Sequence, residues 1–321
     1  MFFVQINHTG KGFLFLIFRE IKLRKYSSLH KLFYGLVTAA EKTHKPISEL
    51  IIEQECQLSG LPREKVWQRM KYNLQTMRAA VKRGESGNGV FSKTGLTGGE
   101  AIKLKKYREK GHTLSGDTMM AAVENAIATN EVNAAMGVVC ATPTAGSSGT
   151  LPGVLFLLEK RLQLSEEQMI RFLFTAGGFG MVIANNAEIA GATGGCQAEV
   201  GSASTMGAAA AVEVAGGSAE QSAQALSIAM SNLLGLVCDP IAGLVEVPCV
   251  KRNGIGAGNA LIAADMALAG CTSVIPADEC IEAMKKVGHQ MPASLRETGL
   301  GGLAGTPTGQ AIKAKIFGKD A

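Results

Sequence analysis

The segment that most restricts the fold spans residues 200–217 and reads VGSASTMGAAAAVEVAGG, with Glu213 as its one charged residue. It is long and apolar enough to raise the question of a membrane span. Alanine and glycine, however, contribute little free energy on transfer into lipid, and a carboxylate within the span opposes insertion. The segment therefore predicts a helix buried in a protein core. A membrane carrier is the alternative, and it depends on such small-residue segments alone.

A core around this helix must pack through small side chains. The chain has 39 glycines among 321 residues, and only 5% of its residues are aromatic. Small residues let neighbouring backbones approach closely, which suits helices that nearly touch. With 46% hydrophobic and 18% charged residues, the chain can bury a large core as one domain or two unequal ones, and its composition is not that of a disordered protein.

Apolar spacing and capping signals predict helices along most of the chain. Residues 28–82 carry apolar side chains at intervals of three and four, the period of an amphipathic helix. Residues 119–136 are rich in alanine and contain no helix breaker, so they predict one long helix. Ser165 and Gln168 form a capping box for a helix through Phe174. Further helix starts are predicted at Ser218 and at Ala277-Asp278. We therefore predict a mainly α, compact helical domain with Gly-rich loops.

Charge and cysteine content narrow the class of protein. The net charge of +5 comes from basic residues before residue 115, and no aromatic residues interleave them. A solvated face or a surface for another protein chain is therefore favoured over nucleic-acid binding. Seven cysteines are too few for a disulfide scaffold in a chain of this length, and residues 12–25 lack a signal-peptide cleavage site. We predict a reducing, cytoplasmic location.

Three of the cysteines lie in loop-like contexts. Gly194 and Gly195 precede Cys196, and prolines and a glycine interrupt the segment from Cys238 to Cys249. These backbones are shaped for presentation rather than for continuous helical packing. Three thiolates can hold three irons of a [4Fe–4S] cluster and leave the fourth iron open as a Lewis acid. Inert buried thiols are the alternative, because the compact spacings of ferredoxins and zinc fingers are absent.

A second group combines hydroxyls and glycines between Thr142 and Thr150. Its backbone amides and hydroxyls are suited to binding an anion such as a carboxylate, although a tight turn with helix caps has the same composition. A third group, Asn185, Asn186 and Glu188, leads towards Cys196. These three residues either support a metal site or cap helices.

Four long motifs resemble the alpha subunit of bacterial iron–sulfur-dependent L-serine dehydratase. They are NEVNAAMGVVCATPTAGSSGTLPG, GGCQAEVGSAS, GLVCDPIAGLVEVPCVKRN and MPASLRETGLGGLAGTPTG. The resemblance covers about residues 31–318. It implies an N-terminal arm at residues 1–27, a serine dehydratase alpha-type catalytic domain at 28–318 and a short tail at 319–321. The arm departs from the start typical of the family.

The resemblance implies a lyase that converts L-serine to pyruvate and ammonia. Cys196, Cys238 and Cys249 match the family's cluster-binding cysteines, which implies a [4Fe–4S] cofactor whose open iron acts on the serine hydroxyl. The chain's length fits the catalytic part alone, so a separate beta (regulatory) subunit is expected. Relatives that fuse the two parts end in a further cysteine, whereas this chain ends KIFGKDA.

Roles for other residues follow as expectations. The candidates for binding the serine carboxylate are Thr144, Gly146, Ser147, Ser148 and Gly149. Lys251 and Arg252 either offset the cluster's negative charge, orient the carboxylate or lie in solvent. For the general base we expect His112, at the start of a predicted helix, or a residue of the partner chain.

Three other functions stay open from the sequence. The same iron would also suit a cysteine desulfidase, which eliminates a thiol instead of water. A non-catalytic iron–sulfur protein would need the cysteines but not the anion site. A pyridoxal phosphate enzyme would need a lysine in a site shaped for that cofactor, and most lysines here lie in charged, surface-like runs.

Overall fold

The computed structural model describes residues 4–6 and 33–318. The described part is almost entirely helical, which confirms the mainly α prediction. Its helices are α1 Phe33–Thr43, α2 Ile47–Ser59, α3 Arg63–Gly84, α4 Glu100–Arg108, α5 Gly116–Ala134, α6 Thr150–Leu162, α7 Glu166–Asn186, α8 Gly191–Gly194, α9 Ser202–Val214, α10 Ala219–Ser231, α11 Cys249–Leu268, α12 Ala277–Gln290 and α13 Pro307–Phe317. A π-helical turn, Gln197–Gly201, leads into α9, and 3₁₀ turns span Ile241–Gly243 and Ala293–Leu295.

Helix α9 lies at the centre of the fold and confirms the buried helix predicted for residues 200–217. It packs against α6, α7, α10 and α11, and its residues from Ser202 to Val212 are all buried. A Cβ added at Gly207 would lie 3.3 Å from Leu151 Cδ2 and 3.5 Å from Ala260 Cβ. Small residues therefore bring three helices into close contact, as the composition predicts. No helix of the described residues has the length and apolar character needed to cross a membrane.

Helix α7 is longer than predicted. Its capping box at Ser165 and Gln168 forms as expected, but the helix continues beyond Phe174 to Asn186. Gly178 lies within this extension, and a Cβ there would lie 2.5 Å from Ile51 Cγ1. The glycine permits the close approach of α2, so tertiary packing compensates for its low helix propensity.

The other predicted helix starts agree with the structure. The box at Ser218 caps α10, and α12 begins at Ala277. Glu213, the one charge of the central segment, has a structural role at the start of α2. Its carboxylate accepts hydrogen bonds from the Ser48 amide at 3.3 Å and from the Thr175 hydroxyl at 2.9 Å. An acceptor at this position satisfies an amide of the first turn of the helix.

One part of the N-terminal arm lies within the described residues. Strand β1, Val4–Ile6, pairs antiparallel with β2, Val139–Ala141, with Val4 opposite Ala141. Strand β2 leads directly into Thr142, so this pairing supports the base of the loop that carries the predicted anion site. The rest of the predicted arm and the tail at 319–321 lie outside the described residues.

Candidate active site

The predicted anion-binding residues form a loop, residues 142–149, between β2 and α6, which is half-buried at 143–145 and buried elsewhere. We call it the nest loop. The Ser147 hydroxyl donates to the Thr142 carbonyl at 3.0 Å and accepts from the Thr144 amide at 3.3 Å. The Thr144 hydroxyl donates to Glu199 Oε1 at 2.6 Å. These hydroxyls therefore brace the loop internally and attach it to the π-helical turn that leads into α9.

Three consecutive amides of the nest loop have no acceptor among the described residues. They belong to Ala145, Gly146 and Ser147, whereas the Ser148 amide donates to Ala145 and the Gly149 amide donates to Asn253 Oδ1. The three amides precede the N-terminus of α6, where the helix dipole favours negative charge. The arrangement is an anion nest with three donors. Gly149 is not one of these donors, because its amide already donates to Asn253 Oδ1.

The Cys196 loop carries the first of the three predicted ligands. Gly195 adopts φ +78°, a conformation that favours glycine, and Cys196 directly precedes the π-helical turn. The Gln197 amide donates to the Leu236 carbonyl at 2.9 Å, and the Gln197 side chain accepts from the Gly235 amide at 2.9 Å. These bonds attach the segment that leads to Cys238 onto the Cys196 turn.

Cys238 and Cys249 are held by different elements. The Cys238 amide donates to the Leu295 carbonyl at 2.8 Å, and the Cys238 carbonyl accepts from the Glu297 amide at 2.7 Å. The C-terminal segment therefore pairs with the Cys238 backbone. Cys249 follows Pro248 as the first residue of α11. Its thiol lies at a helix N-terminus, where the dipole favours the thiolate.

The three thiols lie within electrostatic reach of one another. Burial raises the pKa of Cys196 to about 12 and raises those of Cys238 and Cys249 as well. A thiolate at Cys196 would raise the pKa values of the Cys238 and Cys249 thiols further. A thiolate at Cys249 would likewise raise the pKa of Cys238. Three desolvated thiols so close together stay protonated unless a metal replaces the protons.

The remaining cysteines differ from these three. Burial raises the pKa of Cys140, in β2, to about 12, with no charge of the described residues contributing to the shift. Cys280 is buried in α12, Cys56 is half-buried and Cys271 is exposed. Only the three cysteines in Gly- and Pro-containing loops converge among the seven.

Two carboxylates, Glu199 and Glu297, were not predicted to belong to the site. Single ligand atoms of Glu199, Glu297 and Cys238 lie within 4.8 Å of one another. Burial raises the pKa of Glu199 to about 7, opposed by its hydrogen bond from Thr144. Glu297 has φ +62°, unusual for a residue with a side chain, in a turn bonded to Cys238.

Gly191 lies directly against these groups. A Cβ there would lie 2.8 Å from Glu199 Oε2, 2.9 Å from Cys238 Sγ and 3.1 Å from Glu297 Oε2. All three distances are shorter than van der Waals contact. The absence of a side chain at Gly191 therefore lets a thiol and two carboxylates approach its backbone closely.

Lys251 and Arg252, considered together from the sequence, point to different partners. Arg252 contacts Asp239 Oδ1 at 2.8 Å and donates to the Val237 carbonyl at 2.7 Å, so it joins α11 to the residues on both sides of Cys238. Its charge opposes the effect of burial and partly lowers the raised pKa of the Cys196 thiol. Lys251 instead pairs at the surface with Glu100 at 2.7 Å. Only Arg252 lies where it offsets negative charge at the thiols.

The other predicted groups lie in simpler surroundings. His112 is exposed in the turn between α4 and α5, where its carbonyl accepts from the Tyr107 hydroxyl at 3.1 Å. Asn186 donates to the Val182 carbonyl in the last turn of α7, which is a capping role. Glu188 lies 3.9 Å from His289. The role of His112 as a base stays a prediction.

Comparison with known proteins adds an independent observation. The family description "Serine dehydratase alpha chain" matches residues 42–304, and all three cysteines, the nest loop, Glu199 and Glu297 lie inside that range. The chain belongs to this family. The bounds expected for the N-terminal arm, residues 1–27, stay a prediction.

Individual relatives of this serine dehydratase alpha-type chain are similar over most of its length. A Bacillus subtilis protein named "Probable L-serine dehydratase, alpha chain" is 62% identical over 272 residues, which are 85% of this chain and 90% of the relative. The L-serine dehydratase alpha chain of Peptoniphilus asaccharolyticus is 44% identical over 83% of this chain and 91% of its own length. The Escherichia coli "L-serine dehydratase 1" is 36% identical over 84% of this chain, but over only 60% of its own longer chain.

Proposed function

We propose that this chain is the alpha subunit of an iron–sulfur-dependent L-serine dehydratase that converts L-serine to pyruvate and ammonia. The observation that carries the proposal is the convergence of Cys196, Cys238 and Cys249 beside the nest loop and the two carboxylates Glu199 and Glu297. The names of the similar relatives support the substrate. The words "alpha chain" in those names support a separate beta subunit, which we propose as the partner.

The donor set fits a [4Fe–4S] cluster held by the three cysteines. The three thiols come from separate segments of the chain, as expected if each binds a different iron. The charge of Arg252 also suits an anionic group at the thiols. When bound, the cluster would supply a Lewis acid for the departure of the serine hydroxyl.

The chain's own residues bind and orient the substrate in this proposal. The free amides of Ala145, Gly146 and Ser147 bind the serine carboxylate. Glu199 and Glu297 attract the α-ammonium group by charge, so the two ends of the zwitterion are held by different elements. Such two-point binding fixes which side of the α-carbon faces the thiols, and it is consistent with a preference for one enantiomer.

Removal of the α-proton, together with departure of the β-hydroxyl as hydroxide or water, gives aminoacrylate, which tautomerises to an imine and takes up one water to give pyruvate and ammonia. For the base, His112 and a residue of the beta subunit stay the two predictions. The burial of Ser147, Ser148 and the three cysteines limits the access of bulk water during this step.

The proposal is tested by assaying pyruvate release from L-serine with the anaerobically purified complex of this chain and its partner. We expect activity that disappears on removal of iron and in Cys196→Ala, but persists in Cys280→Ala, which removes a buried thiol in α12. L-cysteine is assayed in parallel. If sulfide is released from L-cysteine faster than pyruvate is released from L-serine, the enzyme is a cysteine desulfidase. Full activity after complete removal of iron would refute the cluster mechanism.

A further inference from the structure

Asn253 lies four residues after Cys249 on α11 and is fully buried. Its side-chain nitrogen donates to the Gly146 carbonyl at 2.7 Å and to the Cys249 carbonyl at 3.0 Å. Its side-chain oxygen accepts from the amides of Gly149 at 3.0 Å and Thr150 at 3.1 Å. Both donor hydrogens and both lone pairs of this amide are therefore in use.

These bonds connect two functional elements that are distant in sequence. Gly146 and Gly149 belong to the nest loop, and Cys249 is a proposed cluster ligand. The loop cannot easily shift, because a Cβ at Gly149 would overlap the Ala126 carbonyl of α5 and lie 3.2 Å from Asn253 Oδ1. The nest loop is thus held tightly between α5 and α11, and Asn253 is its bonded contact with the start of α11.

The bond to the Gly146 carbonyl also determines where an anion-binding amide points. Asn130 on α5 donates to the same carbonyl at 3.1 Å, so two side chains hold it. The peptide between Gly146 and Ser147 is trans, since the cis bonds of the described residues are Thr142–Pro143 and Val247–Pro248. In a planar trans peptide the N–H points opposite to the C=O. The Ser147 amide is therefore directed away from Asn130 and Asn253, and it is one of the three amides without an acceptor.

We propose that Asn253 is a positioning residue that fixes the carboxylate-binding amides relative to the metal ligand Cys249. This inference rests on the proposed function. The carboxylate and the hydroxyl of serine are separated by only a few bonds, so productive binding needs a fixed distance between the nest and the metal. One buried amide provides that connection, while Asn130 holds only the nest.

The test compares Asn253→Asp, Asn130→Asp and the control Asn259→Asp in the anaerobic holoenzyme. An aspartate at 253 keeps the size and the acceptor oxygen but turns an oxygen towards two carbonyls, which releases Gly146 and Cys249. We expect the KM for L-serine to rise about tenfold or more in both test variants, with a smaller change in kcat. Asn259 lies half-buried on the same helix, and its amide donates to Ser204 Oγ and to the Ala229 carbonyl, each at 2.9 Å, so its replacement likewise removes two donated hydrogen bonds. Its KM should not change.

A second readout separates positioning from general destabilisation. Iron content and the EPR spectrum are recorded for each variant, with and without L-serine. We expect Asn253→Asp to alter the cluster spectrum through Cys249, and Asn130→Asp to leave it unchanged in the absence of serine. Both variants should need more serine to produce the substrate-dependent spectral change. If Asn253→Asp does not fold, Asn130→Asp carries the test of the nest.

The possible failures are distinguishable. A wild-type holoenzyme that does not deaminate L-serine refutes the proposed function. An active wild type whose KM is unchanged in both test variants, or raised equally in the Asn259 control, refutes only the positioning role.

Discussion

Replacing Arg252 by methionine tests how much the buried ion pair between Arg252 and Asp239, beside Cys238, contributes to the stability of the fold. The side chains of Arg252 and Asp239 are 17% and 4% exposed, and their charged atoms lie 2.8 Å apart. Methionine retains the apolar stem of arginine and removes the charge. The Asp239 carboxylate then keeps only its hydrogen bond from the Leu303 amide, at 2.7 Å. The Val237 carbonyl also loses its donor.

The expected loss is large because an unpaired charge remains buried. Breaking a buried pair by removing one partner costs about 3–5 kcal/mol. The remaining bond to Asp239 favours the lower end, about 3 kcal/mol. With a urea dependence of about 3 kcal/mol per molar for a chain of this size, the unfolding midpoint should fall by about 1 M. Far-UV circular dichroism in urea measures that midpoint.

The neighbouring lysine supplies a matched control. Lys251 pairs with Glu100 at 2.7 Å, but its side chain is 58% exposed. Exposed pairs contribute about 0–1 kcal/mol, so Lys251→Met should shift the midpoint by no more than about 0.3 M. The double variant Arg252→Met/Asp239→Asn removes both charges and should recover part of the loss. Equal shifts in the two single variants, or a double variant less stable than Arg252→Met, would contradict the reasoning.

Three further changes have expected outcomes. Glu213→Ala removes the acceptor of the Ser48 amide and of the Thr175 hydroxyl and should lower the free energy of unfolding by about 1–3 kcal/mol, measured in urea, whereas an unchanged value would mean that these bonds are neutral. Burial raises the pKa of Glu131 from 4.5 to about 7, so the folded state favours the protonated carboxyl. Its contribution to the free energy of unfolding is therefore fully present below pH 4.5 and is lost as the pH rises through 7. A pH series of thermal unfolding should show this decline in the wild type but not in Glu131→Gln, and parallel profiles would refute it. Gly191→Ala places a Cβ 2.9 Å from Cys238 Sγ and should reduce bound iron by displacing that thiol, while Gly201→Ala, whose nearest contact is 3.7 Å, should not; equal iron in both would refute the role of the close approach at Gly191.

Much of the architecture is predictable because it depends on local chemistry. The capping boxes at Ser165 and Ser218 act within one helical turn, so they are visible in the sequence. The central helix is predictable because a long run of small apolar residues has few other stable environments in a folded protein. The end of α7 was not predictable, because Gly178 is tolerated only through contact with α2.

The site was predictable in part for the same reason. Glycines and prolines distinguish the loops of Cys196, Cys238 and Cys249 from the helical surroundings of Cys280. Glu199 and Glu297 could not be assigned in advance, because their convergence requires the C-terminal segment to return to Cys238.

Asn253 had a weak signal in its four-residue spacing from Cys249. Its contact with Gly146, 107 residues earlier, was not visible in the sequence. Which of Lys251 and Arg252 faces inward likewise depends on the rotational position of α11, which the sequence alone does not determine.

The most direct test of the central claim is the metal content of the anaerobically purified chain with its partner, measured as iron and acid-labile sulfide per alpha chain. We expect about four irons and four sulfides for the wild type and for Cys280→Ala, and a marked loss of both in Cys238→Ala. A wild-type protein that binds no iron under these conditions, or a Cys238→Ala variant with the full iron content, would contradict the account.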